Sequence, residues 1–205
     1  EQAVALPRDR LYLGEVVPVK LQLFIPEGRK VSSGMDHPVL EEETFVSGGF
    51  PEKYTETTRR VDGQAYRVIT WQTTLKPVKT GRQSVHFRFE IAVAMSGGRD
   101  FPFGLARRQQ VILYTDDTTV TVLPLPEEGR PPGFTGAIGT FAFSGSALSP
   151  RQARAGELLE LSVSLEGMGN FDSFQPPVPE ESGDWRIYDS DTRMEAADAF
   201  GYTGT

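Results

Sequence analysis

Polar and apolar residues alternate along much of the chain, as they do in a β-strand that buries one face. The alternation is clearest from Ser84 to Met95, where apolar residues occupy every second position and polar ones such as His86 and Arg88 lie between them. Turns rich in glycine and proline separate similar stretches, which predicts an antiparallel all-β protein. The residues expected to face a core are Val17, Val19, Leu21, Leu23, Ile69, Trp71, Thr73, Leu75, Val85, Phe87, Phe89, Ile91, Val93, Met95, Val120, Val122, Leu159, Leu161, Val163 and Leu165.

Helix-favouring composition is confined to one short segment, Arg193 to Phe200. A helix of that length is not stable without tertiary packing. A β-sandwich is therefore the economical architecture for the chain.

An internal repeat indicates two domains. Gly14-Glu15 opens the alternating stretch VVPVKLQL, and Gly156-Glu157 opens LLELSVSL in the same phase, 142 residues later. Each copy is followed by a bend marked by proline, at His37-Pro38 and at Pro176-Pro177. Recurrence at a fixed spacing is the signature of a duplicated unit.

The segment between the copies, residues 124–133, contains four prolines and predicts an extended, semi-rigid linker. We expect tandem immunoglobulin-like antiparallel β-sandwiches: a first domain over residues 1–123 and a second over residues 134–205. The second is short for a complete sandwich. It is expected to be truncated and to expose a strand edge open to pairing, including dimerisation.

Composition narrows the function classes. The 205 residues carry 28 acidic and 21 basic side chains, a net charge of −7, which argues against binding to nucleic acid or to an anionic membrane surface. Cysteine is absent, so disulfides, thiolate metal sites and cysteine nucleophiles are excluded. No apolar run approaches the roughly 20 residues that span a bilayer. The first residues, Glu1-Gln2, are typical of a processed or trimmed terminus.

No catalytic, cofactor or metal motif is recognisable. His37 precedes a proline at a bend and His86 lies on the polar side of a strand, without the partners of a catalytic triad. The glycines of residues 133–139 are expected at turns and strand starts rather than in a dinucleotide-binding loop. Acidic clusters at residues 41–43, 116–117 and 189–191 are either charged loop ends or calcium ligands, and they lack the spacing of a calcium loop.

Aromatic residues outside the strand pattern suggest a contact surface. Phe101 and Phe103 occupy a glycine-bracketed loop close to Arg99 and Arg107, the composition of an interaction hot spot. These four residues are the predicted partner-binding site. The alternative is that the loop folds back and caps the end of the sandwich. Phe50 and Tyr54 are expected to pack against a core.

Several segments resemble the BatD family of bacterial envelope proteins. They are LYLGEVVPVKLQLF, WQTTLKPVKTGRQSV, WRIYDSDT and, above all, residues 120–171, where PLPEEGRP, FTGAIGTF and AGE-to-GMGN follow one another. The resemblance covers nearly the whole chain. It implies the exported, periplasmic N-terminal part of a protein encoded in an aerotolerance operon, with a signal peptide and a membrane anchor that are both absent here.

The resemblance also implies partners: von Willebrand A-type membrane proteins and a MoxR-type ATPase. The leading hypothesis is a non-enzymatic scaffold that docks envelope proteins in a membrane-associated complex of the stress response, without a cofactor. The second hypothesis is a carbohydrate-binding module that uses Trp185 and Tyr188, because Trp71 is expected to be buried. A hydrolase with an unrecognised site is the third.

Overall fold

A computed structural model describes residues 2–29, 31, 36–95, 107–175, 183–188, 191–195 and 203–204. In these residues the protein is all-β, with one short 3-10 turn at Phe171–Ser173. The predicted fold class is therefore confirmed at the level of β-sheets of the sandwich type, and among the described residues every strand pair but one is antiparallel. Immunoglobulin-like topology and the division at residues 124–133 stay predictions. Of the segment expected to favour a helix, residues 193–195 form no regular structure and residues 196–200 lie outside the described ones.

Among the described residues the first unit contains eleven strands, and regular structure then pauses between Leu123 and Gly139. The strands are β1 (Gln2–Ala5), β2 (Arg10–Tyr12), β3 (Val17–Pro26), β4 (Val39–Leu40), β5 (Phe45–Ser47), β6 (Thr55–Val61), β7 (Gln64–Pro77), β8 (Gly81–Val85), β9 (Phe87–Met95), β10 (Arg107–Tyr114) and β11 (Thr118–Leu123).

These strands form two layers. One layer is a five-stranded sheet in the order β1-β3-β7-β5, with β6 also paired to β7 through a hairpin at Asp62-Gly63. Both turn residues have positive φ, as a tight two-residue hairpin requires. The other layer consists of two three-stranded sheets, β10-β9-β4 and β2-β11-β8. β8 and β9 follow each other across His86, so this residue lies where the chain passes from one small sheet to the other.

The core lies between the two layers and is built from the predicted alternating faces. β3 alternates buried and less buried residues along its length, and Val19, Leu21 and Leu23 are no more than 1% exposed. From the opposite layer, Phe87 and Phe89 are no more than 2% exposed. Trp71 bridges the layers, with its ring 5.4 Å from that of Phe89, which confirms that it is buried. Phe50 and Tyr54 also pack against this cluster, as expected.

In the part of the second unit that the structure describes, the strands form one three-stranded sheet in the order β12-β13-β14. β12 (Gly139–Ser149) and β13 (Glu160–Gly169) pair along their whole length, with an irregularity between Phe143 and Gly145, and β14 (Thr203–Gly204) pairs with the end of β13. Gly133 and Gly136 occupy turns with positive φ and Gly139 begins β12, as predicted.

One expectation about this unit is wrong. The alternation at residues 159–165 predicts a half-buried face, yet Leu161 is 52% and Val163 44% exposed. The strand forms as its pattern requires. No second layer covers it among the described residues, because every member of the buried core cluster comes from residues 11–122.

Candidate protein-binding surfaces

The predicted aromatic site lies almost entirely outside the described residues. This holds for Arg99, Phe101 and Phe103. Arg107 is the first residue of β10 and pairs with Met95 at the end of β9, so the predicted loop joins two paired strands at one end of the first unit. Whether these residues contact a partner stays a prediction.

An apolar sheet face in the second unit is a second candidate, which sequence reasoning treated as part of a core. Cross-strand pairing places Phe143 opposite Leu165, and Leu148 opposite Leu161. Phe143 is 69% and Leu148 45% exposed. Apolar side chains therefore predominate on one side of β12 and β13, where Ser146 opposite Val163 is the polar exception, while Glu160, Ser162, Ser164 and Glu166 lie on the other side. We call the first side the open face: Phe143, Leu148, Leu161, Val163 and Leu165.

Aromatic packing covers one end of the sheet beside the open face. The ring of Phe141 meets that of Phe171 edge to face at 5.2 Å and lies 5.9 Å from that of Phe174. A Cβ on Gly167 would lie 3.0 Å from the same Phe141 ring and 2.2 Å from the carbonyl oxygen of Thr140. Glycine is therefore required there, and the sheet is tightly packed at this end and uncovered at the other.

A junction between the two units centres on Asn170, the only asparagine in the chain. The side chain of Asn170 is buried, and its Nδ2 donates to the carbonyl oxygen of Gly14 at 2.9 Å and to Ser173 Oγ at 3.1 Å. Its backbone N–H donates to the carbonyl oxygen of Ile138 at 2.9 Å. One residue therefore ties the turn at Gly14, in the first unit, to the end of the second unit's sheet at which β12 begins and β13 ends.

An ion pair supports this junction. Lys76 Nζ, near the end of β7, lies 2.7 Å from Asp172 Oδ2 in the 3-10 turn. Asp172 is largely exposed, so this pair contributes at most about 1 kcal/mol. The buried amide of Asn170 is the stronger link, because its hydrogen bonds are shielded from water.

The glycines and the asparagine of residues 167–170 predict a turn after the repeated strand, with glycine or asparagine at positive φ, and this prediction is wrong. Gly167 and Gly169 belong to β13, and the positive φ falls on Gly169 alone, whereas Asn170 has a φ of −90°. Asparagine occupies position 170 for its side-chain amide, and backbone conformation does not require it. No local signal reveals this, since Gly14 lies 156 residues away in sequence.

His86 forms a third feature that sequence reasoning missed. Its ring contacts Glu42 through Nδ1 and Asp117 through Nε2, and its backbone N–H donates to Glu42 Oε2 at 2.9 Å. Hydrogen bonds that the ring donates to Glu42, and then to Asp117, raise the pKa of His86 above its usual value of 6.5. The neighbouring Arg88 pairs with Glu41 at 2.8 Å. Two of the predicted acidic clusters thus surround basic side chains of the first unit.

This arrangement links three segments of the first unit. Within the described residues, no group of three or more His, Cys, Asp or Glu side chains is placed to hold a metal ion. The same residues contain no helix long and apolar enough to cross a membrane. Shallow pockets lie beside the turn after β3 and at the junction near Val16 and Met168.

Comparison of the chain with protein-family models, with curated proteins and with solved structures gave no match in any of the three. Function is therefore inferred from the residues and their geometry, together with the sequence resemblance described above.

Proposed function

We propose that this protein is a non-catalytic scaffold of the bacterial envelope that docks other proteins. The observation that carries the proposal is the open face, whose most exposed member, Phe143, presents 69% of its surface to solvent. Soluble proteins seldom leave contiguous apolar surface uncovered unless it takes part in an interaction. Aromatic and aliphatic side chains on a rigid strand pair are also the kind of anchor that protein interfaces use.

The junction at Asn170 supports the same proposal. A scaffold has to hold its binding surfaces at defined positions, and a buried amide bridging two units restricts their relative movement. The acidic net charge favours protein partners over nucleic acid.

The resemblance to BatD supplies the biological setting of the proposal. In that setting the chain is the periplasmic part of a membrane-anchored protein and acts with von Willebrand A-type membrane proteins and a MoxR-type ATPase in aerotolerance or stress response. It is not an enzyme and carries no cofactor.

Affinity capture from envelope extracts, with mass spectrometry of the captured proteins, tests this function. We expect von Willebrand A-type proteins to be enriched by the chain over resin carrying an unrelated β-sandwich of similar net charge. A Phe101→Ser/Phe103→Ser variant tests whether the predicted aromatic loop takes part. Equal enrichment by both versions excludes that loop, and failure of both to enrich any von Willebrand A-type protein contradicts the proposal.

A carbohydrate-binding module is the second candidate, and one observation favours it. Trp185 is 61% and Tyr188 66% exposed within the described segment 183–188, so both rings are accessible to a sugar. Trp71 is buried and cannot serve. Glycan-array binding that is lost in Trp185→Ala would replace the scaffold by this function.

A further inference from the structure

Two connections cross side by side between the two small sheets of the first unit. β8 passes into β9 at His86, and β10 passes into β11 through residues 115–117. β8 pairs with β11 on one side of these connections, and β9 pairs with β10 on the other. The two sheets therefore meet along one line, and we call residues 86–87 and 115–117 the seam.

Part of the seam is held by bonds that do not depend on pH. The N–H of Thr115 donates to the carbonyl oxygen of Phe87 at 2.9 Å, and the N–H of Phe87 donates to Thr115 Oγ1 at 3.0 Å. Thr115 is buried, and neither bond involves a group that titrates. These two bonds join the connections whatever the charge of the neighbouring His86.

The ring of His86 adds a second tie across the seam. Its Nε2 contacts Asp117, and its Nδ1 contacts Glu42 in the loop after β4. The backbone also fixes this loop, because the His86 N–H donates to Glu42 Oε2 at 2.9 Å and the Glu41 N–H donates to the His86 carbonyl oxygen at 3.2 Å. Glu42 is thus held in two ways, whereas the Asp117 carboxylate meets the seam through the ring.

The number of protons on the ring decides how many carboxylates it can hold. An imidazolium carries a proton on each nitrogen and donates to both, whereas a neutral imidazole carries one proton and presents a lone pair from its other nitrogen. A lone pair that faces a carboxylate oxygen repels it. The side chain of Glu42 is 17% exposed and that of Asp117 79%, so Glu42 loses more by giving up its donor than Asp117, which water can solvate.

We propose that His86 is a pH-operated latch on the seam: as an imidazolium it holds Glu42 and Asp117 together, and on losing a proton it keeps Glu42 through Nδ1–H and releases Asp117. The turn at residues 116–117 then becomes mobile, while Thr115 stays in place. The latch is independent of the scaffold function, because it requires no bound partner.

The charged groups around the ring keep their charge in the pH range where a histidine titrates. On the neighbouring elements they are Arg82 on β8, Arg88 and Glu90 on β9, Glu41, Glu42 and Glu43 after β4, and Asp116 and Asp117 between β10 and β11. Carboxylates ionise at about pH 4, and arginine stays protonated to above about pH 12. The hydrogen bonds to Glu42 and Asp117 raise the pKa of His86, so the latch is closed below about pH 6.5 and opens as pH rises through the folded pKa.

NMR of the ring tests which proton is lost. The chain has two histidines, so His37→Gln leaves His86 as the source of every imidazole signal. Long-range proton–nitrogen spectra of ¹⁵N-labelled protein, recorded between about pH 5.5 and 9, should show both nitrogens protonated at the acidic end and the proton kept on Nδ1 at the alkaline end. A neutral ring with its proton on Nε2 would overturn the proposal, because Glu42 would then be the carboxylate released.

Backbone ¹⁵N relaxation measures the release itself. The heteronuclear NOE of the Asp116 and Asp117 amides should fall with the same midpoint as the ring titration, while that of Phe87 and Thr115 stays constant. A constant value at Asp117 throughout the titration would overturn the latch. So would a parallel fall at Thr115, which would mean that the whole seam opens.

Asp117→Asn and Asp116→Asn form a matched pair, because each removes one negative charge from the same turn. An amide at position 117 can accept from Nε2–H or donate to a bare Nε2, so Asp117→Asn should keep the turn ordered at both ends of the pH range. Asp116→Asn should keep the pH dependence of the parent. Circular dichroism establishes that both variants are folded.

The two variants separate the contact with His86 from the charge of the turn. A fall in the NOE of Asp117→Asn equal to that of the parent would contradict the latch, since the carboxylate would not be needed. Loss of the pH dependence in Asp116→Asn would contradict it as well, because the effect would then follow the net charge of the turn.

Discussion

Asn170→Ala should loosen the junction between the two units without unfolding either of them. The substitution removes two side-chain hydrogen bonds, to Gly14 and Ser173, each with a net contribution of about 0.5–1.5 kcal/mol. Asn170 Oδ1 is buried without a hydrogen-bond partner, so removing it offsets part of that loss. We therefore expect the junction to weaken by about 1–2 kcal/mol, a factor of about 5–30 in its opening equilibrium.

Asn170→Asp should have a larger effect than Asn170→Ala. A carboxylate oxygen in place of Nδ2 would face the carbonyl oxygen of Gly14 at hydrogen-bonding distance, with no proton between them. The ionised side chain would also lose solvation in a buried position. Protonation relieves this repulsion, so the difference between the two variants should shrink at acidic pH.

Distance measurements between spin labels test these effects, and the absence of cysteine allows labels to be placed freely. Thr57→Cys on β6 and Ser162→Cys on β13 change exposed residues, one in each unit. The parent should give one narrow distance distribution, and Asn170→Ala a broader one, while Trp71 fluorescence keeps its buried character. An unchanged distribution in both variants would refute the role assigned to Asn170.

The remaining predictions concern packing and pH. Phe87→Ala should lower the free energy of unfolding measured in urea by about 3–5 kcal/mol, whereas Phe143→Ala should change it by no more than about 0.5 kcal/mol. Similar losses in the two variants would mean that Phe143 is covered. Gly167→Ala should destabilise the β12–β13 pair by about 1–3 kcal/mol and speed the exchange of its backbone amides. Gly145→Ala, which has open space around its Cβ, should do neither. Equal amide exchange rates in the two variants would contradict the close approach at Gly167. Because the pKa of His86 is raised in the folded state, the stability that His86 contributes should be present below about pH 6.5 and lost as pH rises through the folded pKa. Urea midpoints measured across this pH range should show the loss in the parent and not in His86→Gln.

The sequence predicts the strands well, because alternation reports which face of a strand is apolar. At Val19 and Leu161 the same pattern leads to opposite burial, since alternation does not reveal whether a second layer covers the face. His86 appears isolated in sequence because its partners, Glu42 and Asp117, come from loops 44 and 31 residues away. Asn170 is likewise explained only by a contact across the two units. The functional features that sequence reasoning missed therefore depend on long-range contacts, which local patterns do not encode.

Direct binding to a purified von Willebrand A-type domain, from a membrane protein of the kind the family resemblance implies, tests the scaffold function most directly. Titration calorimetry with the 205-residue chain should give saturable binding with a negative heat-capacity change, the signature of apolar burial. A glycan mixture should produce no heat under the same conditions. Absence of binding to the protein domain, together with binding to glycans, would contradict the scaffold account and favour the surface around Trp185.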